Sequence, residues 1–391
     1  MNASRQPALS RDEVLLRVRQ IASEVAGPQA EAVDREARWP AEALGQLQAQ
    51  GLGGLVVPVS AGGLGHGLLA LVEVCEALGR CCPSTAICFG MHCVGAAVIA
   101  AKATPEQHER YLVPIAAGEH LTTLAVSEPG TGVHFYLPQT ALRESDDGYV
   151  VSGTKSFVTN GGMADSYVVS TVAAEAEAPP GQFSCVLIRD GLPGVEWQEP
   201  WNGLGMRGNS ARSVGLGDVR IAPYDLLGDR GDQIWYVFQV IAPYFLMAMA
   251  GTYLGVATAA LDEAVAHLRH RSYGHGGTDP GDHPIVQRDL GALWRRVERT
   301  RRLIYFAAAE GDAGGPDALP ALCSAKAEVA ECAVDAVNSA LTLTGGIGYR
   351  EHSKLGRLLR DARAAHVMSP STSLLETWIG RHLLGQPLLA D

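Results

Sequence analysis

Up to about Gly118 the apolar positions repeat every three to four residues, the spacing that lines one face of a helix. A polar start at Ser10-Arg11-Asp12-Glu13 leads into Val14, Leu15, Val18, Ile21 and Ala22. Trp39-Pro40 opens a second helix, which Gly51-Leu52-Gly53-Gly54 closes, and residues 56–65 read as a turn-rich connector. Helical patterns resume over 68–78, after Pro83-Ser84, and at Thr104-Pro105-Glu106-Gln107. From about 119 to 228 the pattern changes to short strand-like runs at 121–126, 149–151, 167–171, 183–188, 195–197 and 214–216. Asp146-Asp147-Gly148, Asn160-Gly161-Gly162 and Pro179-Pro180-Gly181 punctuate them, which predicts a small antiparallel barrel or sandwich rather than βαβ units. Long helices return after about 229. The stretch 321–341 carries Leu322, Val329, Ala333, Val337 and Leu341 and stops at Gly345-Gly346. A last helix begins near Ser373, where Ser373-x-x-Glu376 reads as a capping box. The chain is thus an α+β protein with a helical domain over 1–118, a β-domain over 119–228 and a helical domain over 229–391.

One stretch, 234–261, contains no charged residue and is long enough to span a bilayer. It also contains Gln239, Pro243, Gly251 and Gly255 and lacks flanking basic clusters, so a helix buried inside a bundle fits it better. With 47% hydrophobic and 19% charged residues the chain is globular rather than disordered. The formal net charge of −11 argues against a nucleic-acid or anionic-membrane partner, since both demand a basic face.

The eight cysteines show no metal-ligand spacing, and no secretion signal is legible at the N-terminus. Reduced core thiols and a cytoplasmic location are expected, with no metal. Gly203-Leu204-Gly205-Met206-Arg207-Gly208 matches G-x-G-x-x-G, but a strand-like run follows it instead of a helix, so it is no dinucleotide fingerprint. No P-loop, H-E-x-x-H or G-x-S-x-G is present.

Several segments together resemble the acyl-CoA dehydrogenase family. Ala125-Val126-Ser127-Glu128-Pro129-Gly130-Thr131-Gly132 is similar to its A-x-[T/S]-E-P-x-A-G segment. Residues 148–161, G-Y-V-V-S-G-T-K-S-F-V-T-N-G, are similar to its G-Y-x-x-x-G-x-K-x-W-I-T-N-G. Leu204-Gly205-Met206-Arg207, Asp218-Val219-Arg220-Ile221, Thr344-Gly345-Gly346-Ile347-Gly348-Tyr349 and Arg360-Asp361-Ala362-Arg363 follow in the family's order. The resemblance implies an N-terminal helical domain, a middle antiparallel β-domain and a C-terminal four-helix bundle. FAD would lie between the last two, with a neighbouring subunit completing its site, so a homo-oligomer (a dimer or a tetramer) is expected.

By resemblance, Val126 and Ser127 would meet the flavin's polar edge, Phe157 would replace the usual Trp beside the ring, and Thr159 would reach the ring's N5 edge. Arg271 would contact the pyrophosphate from the adjacent subunit, although Arg271-Ser272-Tyr273-Gly274 is one residue shorter than the usual R-x-x-F-G. Thr342 stands where the family has Gln, Gly345 and Gly346 would let backbone approach a phosphate, and Ser371 and Ser373 fall near the adenine end.

The family's reaction removes an α-proton from an acyl thioester, a small-molecule substrate, and needs a poised carboxylate. Counting from Arg360-Asp361-Ala362 places its usual Glu at Ser369; the less common position, on the long third-block helix, falls at Phe245. Neither is a carboxylate. Val133-His134 replaces the usual Ser-Asp after Gly132, so the acyl carrier is open (CoA or a carrier protein), and His134 is a candidate replacement base. Three functions remain: an FAD-dependent dehydrogenase with a displaced or atypical base, a flavin monooxygenase on the same fold, and a non-catalytic flavoprotein or partner subunit.

Overall fold

The computed structural model describes residues 9–175, 177–272 and 279–389. The first block holds α1 (Arg11–Ile21), α2 (Gly27–Arg35), α3 (Ala41–Ala49), α4 (Leu68–Cys81), α5 (Pro83–Ala101), α6 (Pro105–Gln107) and α7 (Val113–Ala117). Ser10 caps α1 through a reciprocal bond with Glu13, and Thr104 with Gln107 does the same for α6. The middle block holds β1 (Thr122–Ala125), β2 (Ala141–Ser145), β3 (Gly148–Val158), β4 (Ser166–Ala173), β5 (Phe183–Arg189), β6 (Val195–Pro200), β7 (Arg212–Ile221) and β8 (Leu226–Leu227). The third block holds α8 (Gln233–Tyr236), α9 (Ala242–His270), α10 (Pro284–Ala313), α11 (Ala318–Thr344), α12 (Lys354–Val367) and α13 (Thr372–Leu383). The order of helices, strands and helices is the one that the hydrophobic pattern predicts.

The sheet is mixed, not wholly antiparallel. Its order is β6-β7-β3-β2-β4-β5-β8, with β1 beside β4. Hairpin neighbours such as β2/β3, β4/β5 and β6/β7 are antiparallel, as their tight turns require. β1 and β2, however, both run parallel to β4, at Thr122↔Ser166 and Ala141↔Val172. The chain leaves the sheet after β1, travels through residues 126–140, and rejoins the same edge of β4 further along. No hairpin turn links β1 to β4, so nothing forces them antiparallel.

α9, α10 and α11 are the long members of the C-terminal bundle, and α12 and α13 pack on α11 to complete it. α9 also packs along α4 and α5, so one core runs through both helical blocks. Two helical spans, Pro83–Ala101 and Gln233–His270, are long and apolar enough to cross a membrane; their apolar windows are 89% and 83% buried inside the protein. They are the fold's central helices. All eight cysteines are unpaired thiols, seven buried and Cys81 half-buried. A separate core of Leu142, Val151, Val169, Val186 and Val219 fills the sheet's interior.

Glycines set the distance between α4 and α9. A Cβ on Gly79 would come within 2.5 Å of the Thr252 carbonyl, and one on Gly251 within 2.5 Å of the Val72 carbonyl. One on Gly255 would meet Arg80 N and the Glu76 carbonyl at 2.6 Å. These neighbours are backbone atoms and cannot rotate away. The blocks are joined by polar contacts as well. Asn160 donates to the Cys88 carbonyl and accepts from Trp39 Nε1, both at 2.9 Å. Arg360 grips both oxygens of Asp34. The fully buried Asp361 accepts from Met206 N at 2.6 Å.

Gly255→Ala is therefore expected to lower stability by about 1–3 kcal/mol in a urea titration. Gly291→Ala, on the exposed face of α10 with nothing within 4 Å of a new Cβ, should be neutral or stabilising. Equal effects at the two positions would refute the close-approach argument. Asp361 yields a pH test. Burial pushes its carboxyl up to about 6, above the unfolded value of 3.8. Its contribution to stability is complete below the unfolded value and is lost as pH rises through about 6. Urea midpoints should thus carry a downward component across that window, worth up to roughly 3 kcal/mol, which Asp361→Asn removes.

Candidate active site

β1 delivers Val126 and Ser127 to the end of the sheet that faces the bundle. There they line a small cavity of about 40 Å³ together with Leu124, Phe135, Ile241, Ala242, Phe245, Ser369 and Pro370. Three remote parts of the chain meet in it: the excursion after β1, the start of α9, and the link between α12 and α13. The two positions counted for a catalytic carboxylate, Phe245 and Ser369, both lie on its wall. Among the described residues the lining contains two serines and neither a carboxylate nor an imidazole residue. His134 is on the same excursion, but it is its neighbour Phe135 that reaches the cavity. The His134 ring bonds Tyr136 Oη through Nδ1 at 3.0 Å and stands edge-on to that ring.

The excursion is closed at its base by a buried ion pair. Glu128 accepts from Gln139 N at 2.7 Å and from both Thr140 N and Thr140 Oγ1, at 3.1 and 2.8 Å. Lys155 of β3 donates to the same carboxylate at 2.5 Å and to the carbonyl and hydroxyl of Ser170 at 2.6 and 3.0 Å. Lys155 is fully buried and Glu128 nearly so. Burial alone would raise the Glu128 carboxyl, but the Lys155 charge and these hydrogen bonds outweigh it and hold it below its usual range. Burial likewise pulls the Lys155 ammonium down to about 8 against the attraction of Glu128. The pair is ionised at neutral pH. Beside it Ser156 N donates to the Ser127 carbonyl at 2.8 Å, a second tie between β3 and the excursion.

Phe157 follows at once. It has a φ of +55°, rare for a side chain of this size, and is 59% exposed. Its ring meets Trp201 edge to face at 5.2 Å. Thr159 is buried, and its carbonyl accepts from Thr123 Oγ1 at 3.0 Å. The other candidates lie apart from this cavity. Arg271 closes α9 and is exposed, while Tyr273 and Gly274 of its loop lie outside the described residues. Thr342 is exposed near the end of α11 and donates to the Asn338 carbonyl at 3.1 Å. Gly345 has φ 59° and ψ −145°, a conformation open to glycine, and a Cβ on Gly345 or Gly346 would meet nothing within 4 Å. Their lack of side chains is thus not demanded by packing within the chain.

Ser371, not Ser373, caps α13. Its hydroxyl accepts from Leu374 N at 3.4 Å, while Ser373 is exposed in the first turn of the helix and Glu376 in the second. Pro370 sets the entering backbone, and the first serine after it takes the extended capping conformation.

A larger cleft of about 590 Å³ opens between α2, the β6–β7 connection and the start of α12. It is lined by charged groups such as Asp34, Arg207 and Arg360, and it holds none of the candidate positions. Sequence reasoning missed Glu128, Lys155, Trp201 and Lys326 as site-shaping residues. Lys326 carried a signal: it falls on the apolar stripe of α11, four residues after Leu322 and three before Val329.

Models described as the N-terminal, middle and C-terminal domains of acyl-CoA dehydrogenase match residues 10–119, 123–219 and 235–384. The chain is 28% identical over 369 residues to a short-chain specific acyl-CoA dehydrogenase of Clostridium acetobutylicum, covering 92% of this chain and 94% of the relative. Among solved structures, butyryl-CoA dehydrogenase from Megasphaera elsdenii matches with a TM-score of 0.90 at 24% identity, over 96% of this chain and 99% of that one. PigA, solved with FAD and proline, matches with a TM-score of 0.85 at 20% identity, over 97% and 99%. At these identities the two structures speak to the fold.

Removing one member of the buried pair leaves the other charge alone. Glu128→Gln or Lys155→Met is expected to cost about 3–5 kcal/mol in denaturant unfolding, and the double variant less than either single one. Additive losses would show that the two groups act independently.

Proposed function

From the premise that the chain belongs to the acyl-CoA dehydrogenase family, we propose that it is an FAD-dependent oxidoreductase that dehydrogenates the CH–CH bond of an acyl thioester, using a displaced or atypical base. The observation that carries this reading is the meeting of Val126, Ser127, Phe245 and Ser369 in one cavity. The bound flavin supplies the hydride acceptor. Everything else falls to the chain's own residues.

The residues suit a flat, partly polar ring system. Phe157 offers an exposed aromatic wall steadied by Trp201, and Ser127 offers a hydroxyl at the cavity. Thr159, two residues beyond Phe157, is held through its own carbonyl. Arg271, Thr342, Gly345 and Gly346 are exposed and serve the dinucleotide end in a neighbouring copy's site. Ser371 and Ser373 stand toward the adenine end. A homo-oligomer, a dimer or a dimer of dimers, follows from that division of labour. The unpaired thiols suit a reducing compartment, so the protein belongs in the cytoplasm.

The base is the unusual part. A serine hydroxyl does not accept a proton at neutral pH, so Ser369 orients the acyl group and does not deprotonate it. His134 is the candidate: it is one residue from the cavity-lining Phe135, and it must exchange its bond to Tyr136 Oη for the substrate. Anaerobic titration of the purified protein with acyl-CoA thioesters should bleach the flavin absorption band. His134→Asn should slow the bleaching, and Ser369→Glu should speed it by about a hundredfold or more by restoring a carboxylate. A yellow protein that no thioester bleaches, with or without Ser369→Glu, would sink the dehydrogenase reading. A protein that cannot be reconstituted with FAD would sink the flavoprotein reading itself.

A further inference from the structure

Lys326 is fully buried on the inward face of α11. Its Nζ donates to the carbonyls of Ala365, Met368 and Pro370 at 3.1, 3.2 and 2.7 Å. Three acceptors use all three donors of an ammonium. The Ala365 carbonyl lies in the last turn of α12, where backbone acceptors have no helical partner. The other two carbonyls flank Ser369, which lines the cavity. The lysine therefore grips the wall segment on both sides of Ser369.

What sets Lys326 apart is that, among the described residues, no carboxylate pairs with it. Lys155, just as buried, has Glu128. On Lys326 burial is the one resolved influence: it draws the ammonium down to about 8, and no carboxylate pulls back. The neighbouring imidazole, His366 on α12, is held below its ordinary value by burial and by the charges of Arg363 and Lys326. Glu331 and Asp335 of α11 pull His366 the other way, and neither bears on Lys326. At neutral pH a positive charge with no carboxylate partner among the described residues thus stands behind the cavity wall, solvated by three carbonyls.

We propose that Lys326 is the positioning residue of this cavity, fixing the segment 368–370 and giving the space beside Ser369 a positive potential that favours negative charge there. The ligand group next to Ser369 is accordingly one that is anionic or becomes so. The proposal does not depend on flavin chemistry or on a thioester substrate.

A thiol introduced by Ser369→Cys reads this potential directly. Its alkylation by iodoacetamide, followed by mass spectrometry of that peptide between about pH 6 and 10, gives its ionisation midpoint. In the presence of Lys326 the midpoint should fall below the ordinary thiol value of about 8.5. In the Lys326→Gln background, which keeps a donor and removes the charge, it should rise by roughly one unit, a tenfold loss of thiolate near neutrality. Lys326→Met should do the same with a looser segment, seen as faster proteolysis between α12 and α13. A midpoint at or above about 8.5 with Lys326 in place overturns the proposal, whether or not the lysine variants fold. An unchanged midpoint in folded Lys326→Gln overturns it too.

Discussion

The pairing of Glu128 with Lys155 is the constraint on which the rest of the site depends. A parallel edge of β4 accepts β1 and then β2, and between them the chain makes a long excursion with no ladder of its own. Such a loop is costly to order unless something closes it. Glu128 does so with three bonds to residues 139 and 140, and Lys155 then ties that knot to β3. The pair's desolvation is repaid through geometry: every oxygen and ammonium proton has a partner. Val126 and Ser127 precede the knot, and Phe157 follows the lysine by two residues. One buried contact therefore fixes both sides of the proposed flavin site.

The protein uses two buried lysines in opposite ways. Lys155 is neutralised and acts as a rivet. Lys326 is solvated by three carbonyls and left charged, so it both holds a segment and projects a field. Between these two supports lies a cavity whose own lining is almost wholly apolar. Low polarity matters here, because a field that water would screen persists in such a space. Precision at the wall thus comes from buried charge behind it and not from polar groups facing it.

Much of this was legible from residue order. The helical and strand-like periods mark the three blocks, and the central helices are readable as buried because Gln239, Pro243 and two glycines interrupt an otherwise membrane-like run. The parallel placement of β1 and β2 was not legible, since turn residues announce hairpins and residues 126–140 announce nothing. Ser371 and Ser373 both suit a cap, and the letter pattern favours the wrong one; the extended backbone after Pro370 decides between them. Glu128 and Lys155 sit inside recognisable motifs, yet only three-dimensional packing pairs them. Lys326 could have been flagged, because a lysine on an apolar stripe must find acceptors or a counter-ion.

The absence of a carboxylate gains weight from the geometry. Phe245 lies on α9 and Ser369 between α12 and α13, yet both line the same cavity wall. An aromatic ring at one position and a serine at the other therefore describe the cavity itself. With an aromatic ring and a serine at these positions and the Lys326 ammonium behind the wall, negative charge beside Ser369 is favoured, so a proton acceptor has to act from elsewhere, as proposed for His134.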